Sequence, residues 1–168
     1  QILKITLSTV SPTATLIIDG SAITLLAQQN EPLHPTCQVI YTPHQAEWAR
    51  LSGLAIAEQL PQANQSAQQR LAAHVVLKKY HTEIYHQDGT ISRLPIGGPY
   101  MATGGMGDTL TGIIAAFMGQ FKTLAPADVL DAAVYLHSAV ASDLSQSKYV
   151  VLPTDIIEHL QAFMAQFS

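Results

Sequence analysis

The chain has 168 residues, 48% of them hydrophobic and 12% charged, which is enough apolar material for one core and predicts a single domain over residues 1–168. A formal net charge of −4 without any cluster of Lys or Arg excludes nucleic acid and anionic membrane surfaces as main partners. No apolar run approaches the roughly 18–20 residues of a membrane span, and the lone Cys37 leaves no internal disulfide, so a buried thiol in a cytoplasmic protein is expected.

Gln1-Ile2-Leu3-Lys4-Ile5-Thr6-Leu7 opens the chain as an apolar segment with no capping residue ahead of it, which predicts an element whose earlier part lies outside this sequence. Thr15-Leu16-Ile17-Ile18-Asp19 follows as a short β-rich run that ends in an acid. Gly20 and a helical pattern at Ala22, Ile23, Leu25 and Leu26 come next. The same arrangement recurs at Gln38-Val39-Ile40-Tyr41, where Thr42-Pro43 precedes a helix over 45–51 closed by Gly53. A polar helix over 63–73 leads to a third apolar strand, Val75-Val76-Leu77, ending at Lys78; the Gln-rich stretch 59–69 reads as a solvated helix. Three strands alternating with helices predict a parallel sheet covered on both faces.

Beyond Lys78 the pattern changes. Thr82-Glu83-Ile84-Tyr85-His86 and Thr90-Ile91-Ser92-Arg93-Leu94 flank Gln87-Asp88-Gly89, a hairpin signal with Asp-Gly at the turn. A loop over 95–107 then precedes three predicted helices, at about 108–120, 126–145 and 153–167.

The segment Met101-Ala102-Thr103-Gly104-Gly105-Met106-Gly107-Asp108-Thr109-Leu110-Thr111-Gly112 carries most of the chemistry. Glycines let successive backbone N–H groups turn inward, and the first turn of the next helix adds unpaired N–H groups and the positive end of its dipole. Phosphate suits such a pocket. Asp108 would repel an anion, but it can accept a proton from a substrate hydroxyl, and the pair of features points to phosphoryl transfer. The same spacing also suits an ordinary Gly-rich helix entry with Asp108 as a cap. There is no G-x-x-x-x-G-K-[ST] and no complete dinucleotide fingerprint.

Asp19, His44, Glu47, Lys78 and Asp108 all fall just after a predicted strand or at a helix start, where ligands bind in open α/β sheets. Each has a structural alternative. His44 could cap its helix, Glu47 could be a first-turn acid favoured by the dipole, and Lys78, after three buried residues, requires a partner. His137, with Val134 and Val140, reads as a core or interface histidine. Trp48 and Tyr100 could stack on a base, although packing is the safer reading of Trp48. No Cys/His metal spacing is present.

These pieces, Ile18-Asp19, Thr42-Pro43-His44-Gln45-Ala46-Glu47, Val75-Val76-Leu77-Lys78 and the Thr103-Gly104-Gly105-Met106-Gly107-Asp108 element, occur in an order and at separations that resemble the C-terminal portion of the ADP- or ATP-dependent NAD(P)H-hydrate dehydratases. The resemblance runs from about Leu16 to the C-terminus. It implies a ribokinase-like α/β fold, a three-layer α/β/α arrangement with a mainly parallel sheet and its N-terminal part missing. The implied activity removes water from hydrated NADH or NADPH by phosphorylating the hydrate hydroxyl and eliminating phosphate, with ADP or ATP as co-substrate and Mg2+ as the metal. A hydroxyl kinase of the same superfamily and a noncatalytic nucleotide-binding fragment are the alternatives.

Residue by residue, Asp108 resembles the catalytic base that also touches the hydrate, and His44 a hydrate contact. Lys78, Lys79, Tyr80, His81 and Thr82, with Thr103, Gly104, Gly105 and Gly107, resemble the adenine nucleotide site. Glu47 is similar to the acid that organises magnesium. Lys79 and Tyr80 depart from the small residues usual after the lysine, and Asp19-Gly20-Ser21 departs from Asp-Ala-Asp. Absence of the family's N-terminal strands predicts an exposed sheet edge, covered in a homo-oligomer or by pairing with the missing N-terminal fragment.

Overall fold

The computed structural model describes residues 9–29 and 36–167; the apolar segment at residues 1–7 lies outside them. The chain divides into two compact units, Gln1–Arg93 and Leu94–Ser168.

The first unit is built on a five-stranded sheet in the order β1 (Thr15–Ile18), β2 (Gln38–Tyr41), β3 (His74–Leu77), β4 (Glu83–Tyr85) and β5 (Ile91–Arg93). β1, β2 and β3 run parallel, whereas β4 pairs antiparallel with both β3 and β5. The sheet is therefore mixed, because two strands joined by a tight turn can only pair antiparallel, while β1 to β3 are joined by helical crossovers. Asp88 and Gly89 make that turn: Gly89 sits at φ 89 and the Asp88 carboxylate accepts from the Thr90 amide at 2.8 Å.

Helices α1 (Ser21–Ala27), α2 (Gln45–Ser52) and α3 (Pro61–Leu71) belong to this unit. Alternation along the strands sends Ile18, Val39, Tyr41, Val75, Leu77 and Tyr85 to the face where Ile23 and Leu26 of α1, Trp48 of α2 and Ala67 of α3 complete one apolar core. Ile40, Val76 and Ile84 point the other way and are equally buried. Trp48 is fully enclosed, as its packing reading required, and Cys37 is a buried free thiol. α2 ends at Gly53 in the left-handed conformation, φ 80, which only glycine adopts without strain.

The second unit is helical: α4 (Met106–Gln120), α5 (Pro126–Leu144) and α6 (Pro153–Met164), with a 3₁₀ turn at Pro99–Met101 ahead of α4. α4 buries Met106, Leu110, Ile113 and Ile114, a single stripe at helical spacing, whereas α5 is buried nearly all round and packs against both α4 and α6. Proline at the first position starts α5 and α6, where a missing N–H costs nothing. α4 begins two residues earlier than expected, at Met106, so Gly107 and Asp108 belong to its first turn. Gly105 at φ 86 supplies the reversal that allows it.

Candidate functional site

In the first unit the chemistry sits where the three parallel strands end. The Thr42 amide donates to the Ile18 carbonyl at 3.1 Å and the Lys78 amide to the Pro43 carbonyl at 2.8 Å, and His44 pairs with Lys78 as an isolated parallel bridge, so the strand pairing continues past the strands proper. This brings Asp19, His44 and Lys78 to one edge. The Lys78 Nζ lies 2.8 Å from Asp19 Oδ1, the partner that a lysine after three buried residues needs.

His44 is the N-cap of α2. Its Nδ1 accepts from the amides of Ala46 and Glu47 at 3.1 and 3.3 Å, while Glu47 Oε2 accepts from the His44 amide at 2.8 Å, a reciprocal capping box. With Nδ1 an acceptor, the neutral ring carries its proton on Nε2, which lies 3.4 Å from Glu47 Oε1. Glu47 itself is 7% exposed, so its carboxylate is largely spent on the cap. His44 thus caps α2 while its side chain stays half-exposed.

The segment after Lys78 is anchored. Lys79 Nζ lies 2.7 Å from Glu83 Oε1, Tyr80 stacks on His81 with ring centroids 4.0 Å apart, and His81 adopts φ 58, unusual for a non-glycine residue. Tyr80 is 73% exposed.

In the second unit, Thr103 to Asp108 form the turn into α4. The amides of Gly104, Gly105, Gly107 and Asp108 donate to no backbone carbonyl among the described residues, the first helical bond being Thr109 to the Gly105 carbonyl at 3.0 Å. Gly104 and Gly105 are exposed, as is Asp108. Four N–H donors without a backbone acceptor among the described residues, at the positive end of a four-turn helix, have the chemistry that attracts an oxyanion. The turn is braced by Thr103 Oγ1, which donates to the Val151 carbonyl at 3.4 Å, and by the Val151 amide, which donates to the Tyr100 carbonyl at 2.9 Å. A Cβ on Gly105 would lie 3.2 Å from Pro153 Cγ, so the turn closes tightly on the start of α6.

His137 of α5 holds the same turn from beneath. It is 3% exposed and hydrogen-bonds the backbone of Met106. Burial pulls its pKa down to about 4, only partly opposed by that bond, so the ring is neutral and donates to the Met106 carbonyl. Its Nε2 is buried without a hydrogen-bond partner among the described residues. Sequence reading placed His137 in the core but not its grip on the glycine turn, since a contact between residues so far apart in the chain leaves no periodicity. It also missed Glu83, Tyr85 and Asn64, whose buried polar groups read as ordinary strand and helix positions.

Among the described residues no three His, Cys, Asp or Glu side chains gather as a metal cage. Magnesium fits sites of another kind, taking one or two carboxylates with phosphate oxygens and water. Glu47 has both carboxylate oxygens against His44, Oε2 at 2.8 Å from its amide and Oε1 at 3.4 Å from Nε2, so a cation would meet it through water rather than directly.

The sequence profile of the NAD(P)H-hydrate dehydratases, in the carbohydrate kinase family, matches residues 1–162. The chain is 49% identical over 168 residues to an ADP-dependent (S)-NAD(P)H-hydrate dehydratase of Lactiplantibacillus plantarum, covering all of this chain and 59% of that protein. Among solved structures, a ribokinase-like superfamily protein from Enterococcus faecalis superposes with a TM-score of 0.92 at 46% identity, over 99% of this chain and 58% of that one. The ADP/ATP-dependent NAD(P)H-hydrate dehydratase of Bacillus subtilis, co-crystallised with ATP/Mg2+, gives 0.81 at 29% identity, over 92% and 56%. The chain therefore has a ribokinase-like α/β fold and spans somewhat more than half the length of the relatives it matches.

Proposed function

The chain belongs to the NAD(P)H-hydrate dehydratase family, and we propose that it works in the nucleotide-dependent dehydration of hydrated NADH or NADPH. ADP is the favoured co-substrate, because relatives 41–49% identical to this chain are named ADP-dependent, with ATP as the alternative. The observation that carries the reading is the turn at Gly104 to Asp108, where four unpaired amides and an exposed carboxylate share one helix start.

In this mechanism the amides of Gly104, Gly105 and Gly107 hold the phosphoryl group being transferred, with Thr103 bracing the turn. Asp108 takes the proton from the hydrate hydroxyl as its oxygen bonds to the terminal phosphorus and the bridging P–O bond breaks, releasing AMP from ADP. The resulting phosphate ester loses phosphate by C–O cleavage, a ring proton leaves, and the double bond of the reduced nicotinamide is restored. The half-exposed His44 ring contacts the hydrate. Lys78, Lys79, Tyr80, His81 and Thr82 contribute the adenine nucleotide site. Glu47 would hold Mg2+ through water, and that ion supplies charge neutralisation on the phosphates. Residues 1–168 belong to one ribokinase-like nucleotide-binding domain. The setting is cytoplasmic, where the nicotinamide pools and a free thiol coexist, and the sheet edge at β1 pairs with a second copy or with the further length that the relatives possess.

The test follows NADH absorbance regained from its hydrate by the intact protein. Wild type should regenerate NADH and release phosphate, and Asp108→Asn should lower turnover at least about a hundredfold while ADP binding survives. Near-full activity in the variant removes Asp108 from the mechanism; accumulation of a stable phosphorylated product identifies a kinase instead.

A further inference from the structure

The segment that follows Lys78 is tied to the interior of the first unit by an unbroken file of polar side chains. Lys79 Nζ lies 2.7 Å from Glu83 Oε1; the Tyr85 hydroxyl donates to Glu83 Oε2 at 2.6 Å; Asn64 Nδ2 donates to the Tyr85 hydroxyl at 3.0 Å and to the Gln59 carbonyl at 3.1 Å; and Trp48 Nε1 donates to Asn64 Oδ1 at 2.8 Å. Glu83, Tyr85, Asn64 and Trp48 are each 3% exposed or less. The register that sets Tyr85 opposite Val75 and Glu83 opposite Leu77 turns both side chains to the helix-covered face, where α2 and α3 supply Trp48 and Asn64.

The donors of Trp48, Asn64 and Tyr85 are all used, and their direction is set. Both amide hydrogens of Asn64 are committed, so its oxygen must face Trp48. Burial first, and then Glu83, push the Tyr85 hydroxyl above its ordinary range, so it stays protonated and donates. The file carries one buried negative charge, on Glu83, and Lys79 is its counterion. Such pairs add little net stability over an apolar replacement, because desolvation offsets the attraction, but they fix one geometry strictly. What this one fixes is a surface turn. Lys79 and Glu83 clamp its two ends, and between them His81 is held at φ 58 with Tyr80 stacked on it. A non-glycine residue persists in that region only when its surroundings over-determine it.

We propose that this buried file is the mount of the 79–82 turn, that Lys79 serves as its anchor rather than as a phosphate ligand, and that Glu83 and Tyr85 are positioning residues for recognition of an adenine nucleotide by the turn. The inference rests on the nucleotide reading proposed above. It accounts for His81 at φ 58 in a turn that has no glycine: such a turn needs an external tether to hold a left-handed residue.

The test uses the intact protein with Glu83→Gln and Tyr85→Phe, reading amide hydrogen exchange at residues 80–82 with and without ADP, and kcat and KM separately. Both variants should speed exchange at 80–82 and raise the KM for ADP roughly tenfold, the loss carried by one hydrogen bond to a charged group, while kcat and the KM for hydrate stay within about twofold. Tyr85→Phe keeps the ring and so carries the test if Glu83→Gln fails to fold. A wild type that binds ADP, with both exchange and KM unmoved in the variants, overturns the positioning role. A lowered melting temperature with unchanged KM for ADP overturns it equally, since the file is then structural only. If ADP binds wild type without protecting 80–82, the placement of the nucleotide fails first, and this inference with it.

Discussion

Acidification should destabilise the helical unit through His137. The ring is enclosed, its Nε2 has no partner, and burial lowers its pKa from 6.5 to about 4. Protonation leaves the bond to the Met106 carbonyl intact, so the whole cost is that of placing a charge in the core. In the unfolded chain the same ring takes its proton near 6.5. The unfolded state therefore binds the proton first as pH falls: stability is full above about 6.5, declines by up to ~1.4 kcal/mol per pH unit through the interval down to about 4, and levels off below it. The drop across the interval is about 3 kcal/mol, a large share of the stability of an ordinary domain. Urea unfolding followed by far-UV circular dichroism at a series of pH values measures it, in wild type and in His137→Asn. The variant loses some packing at every pH but has no proton to take up, so carboxylate contributions cancel in the difference between the two curves. Curves that run parallel from pH 7 to pH 4 would refute the argument, because they would mean that the ring is solvated or paired in the folded state.

Three further outcomes follow from the site. His44→Ala should cost about 1 kcal/mol by uncapping α2, whereas His44→Asn keeps a capping acceptor; both should weaken hydrate binding, and a normal hydrate KM in the asparagine variant would confine His44 to capping. Gly105→Ala forces a Cβ toward Pro153 at a residue with φ 86, so a loss of about 1–2 kcal/mol is expected together with weaker binding of inorganic phosphate, read from the amide shifts of Gly104, Gly107 and Asp108; unchanged titrations would sink the oxyanion role of the turn. For the pair joining Lys78 to Asp19, a double-mutant cycle with Lys78→Met and Asp19→Asn should show coupling of about 1 kcal/mol in thermal unfolding, and additivity of the two changes would make the 2.8 Å contact incidental.

Local physics made much of this chain legible before any tertiary contact. The strands Thr15–Ile18, Gln38–Tyr41 and His74–Leu77 end where an acid, a proline and a lysine interrupt their apolar runs, the Asp-Gly turn forces β4 and β5 to pair antiparallel, and Gly53 stops α2. The glycine turn into α4 was equally plain, since glycines followed by an apolar helical stripe mark a helix entry. These are signals in which a residue's neighbours in sequence are also its neighbours in space. Tertiary structure alone decided the rest. That Lys78 reaches Asp19, that His137 grips the Met106 carbonyl, and that Lys79 is spent on Glu83 are pairings between residues brought together by the parallel crossovers, the packing of α5 on α4, and the burial of β4. A buried polar atom must find a partner wherever the fold supplies one, and the sequence states that need without naming the partner.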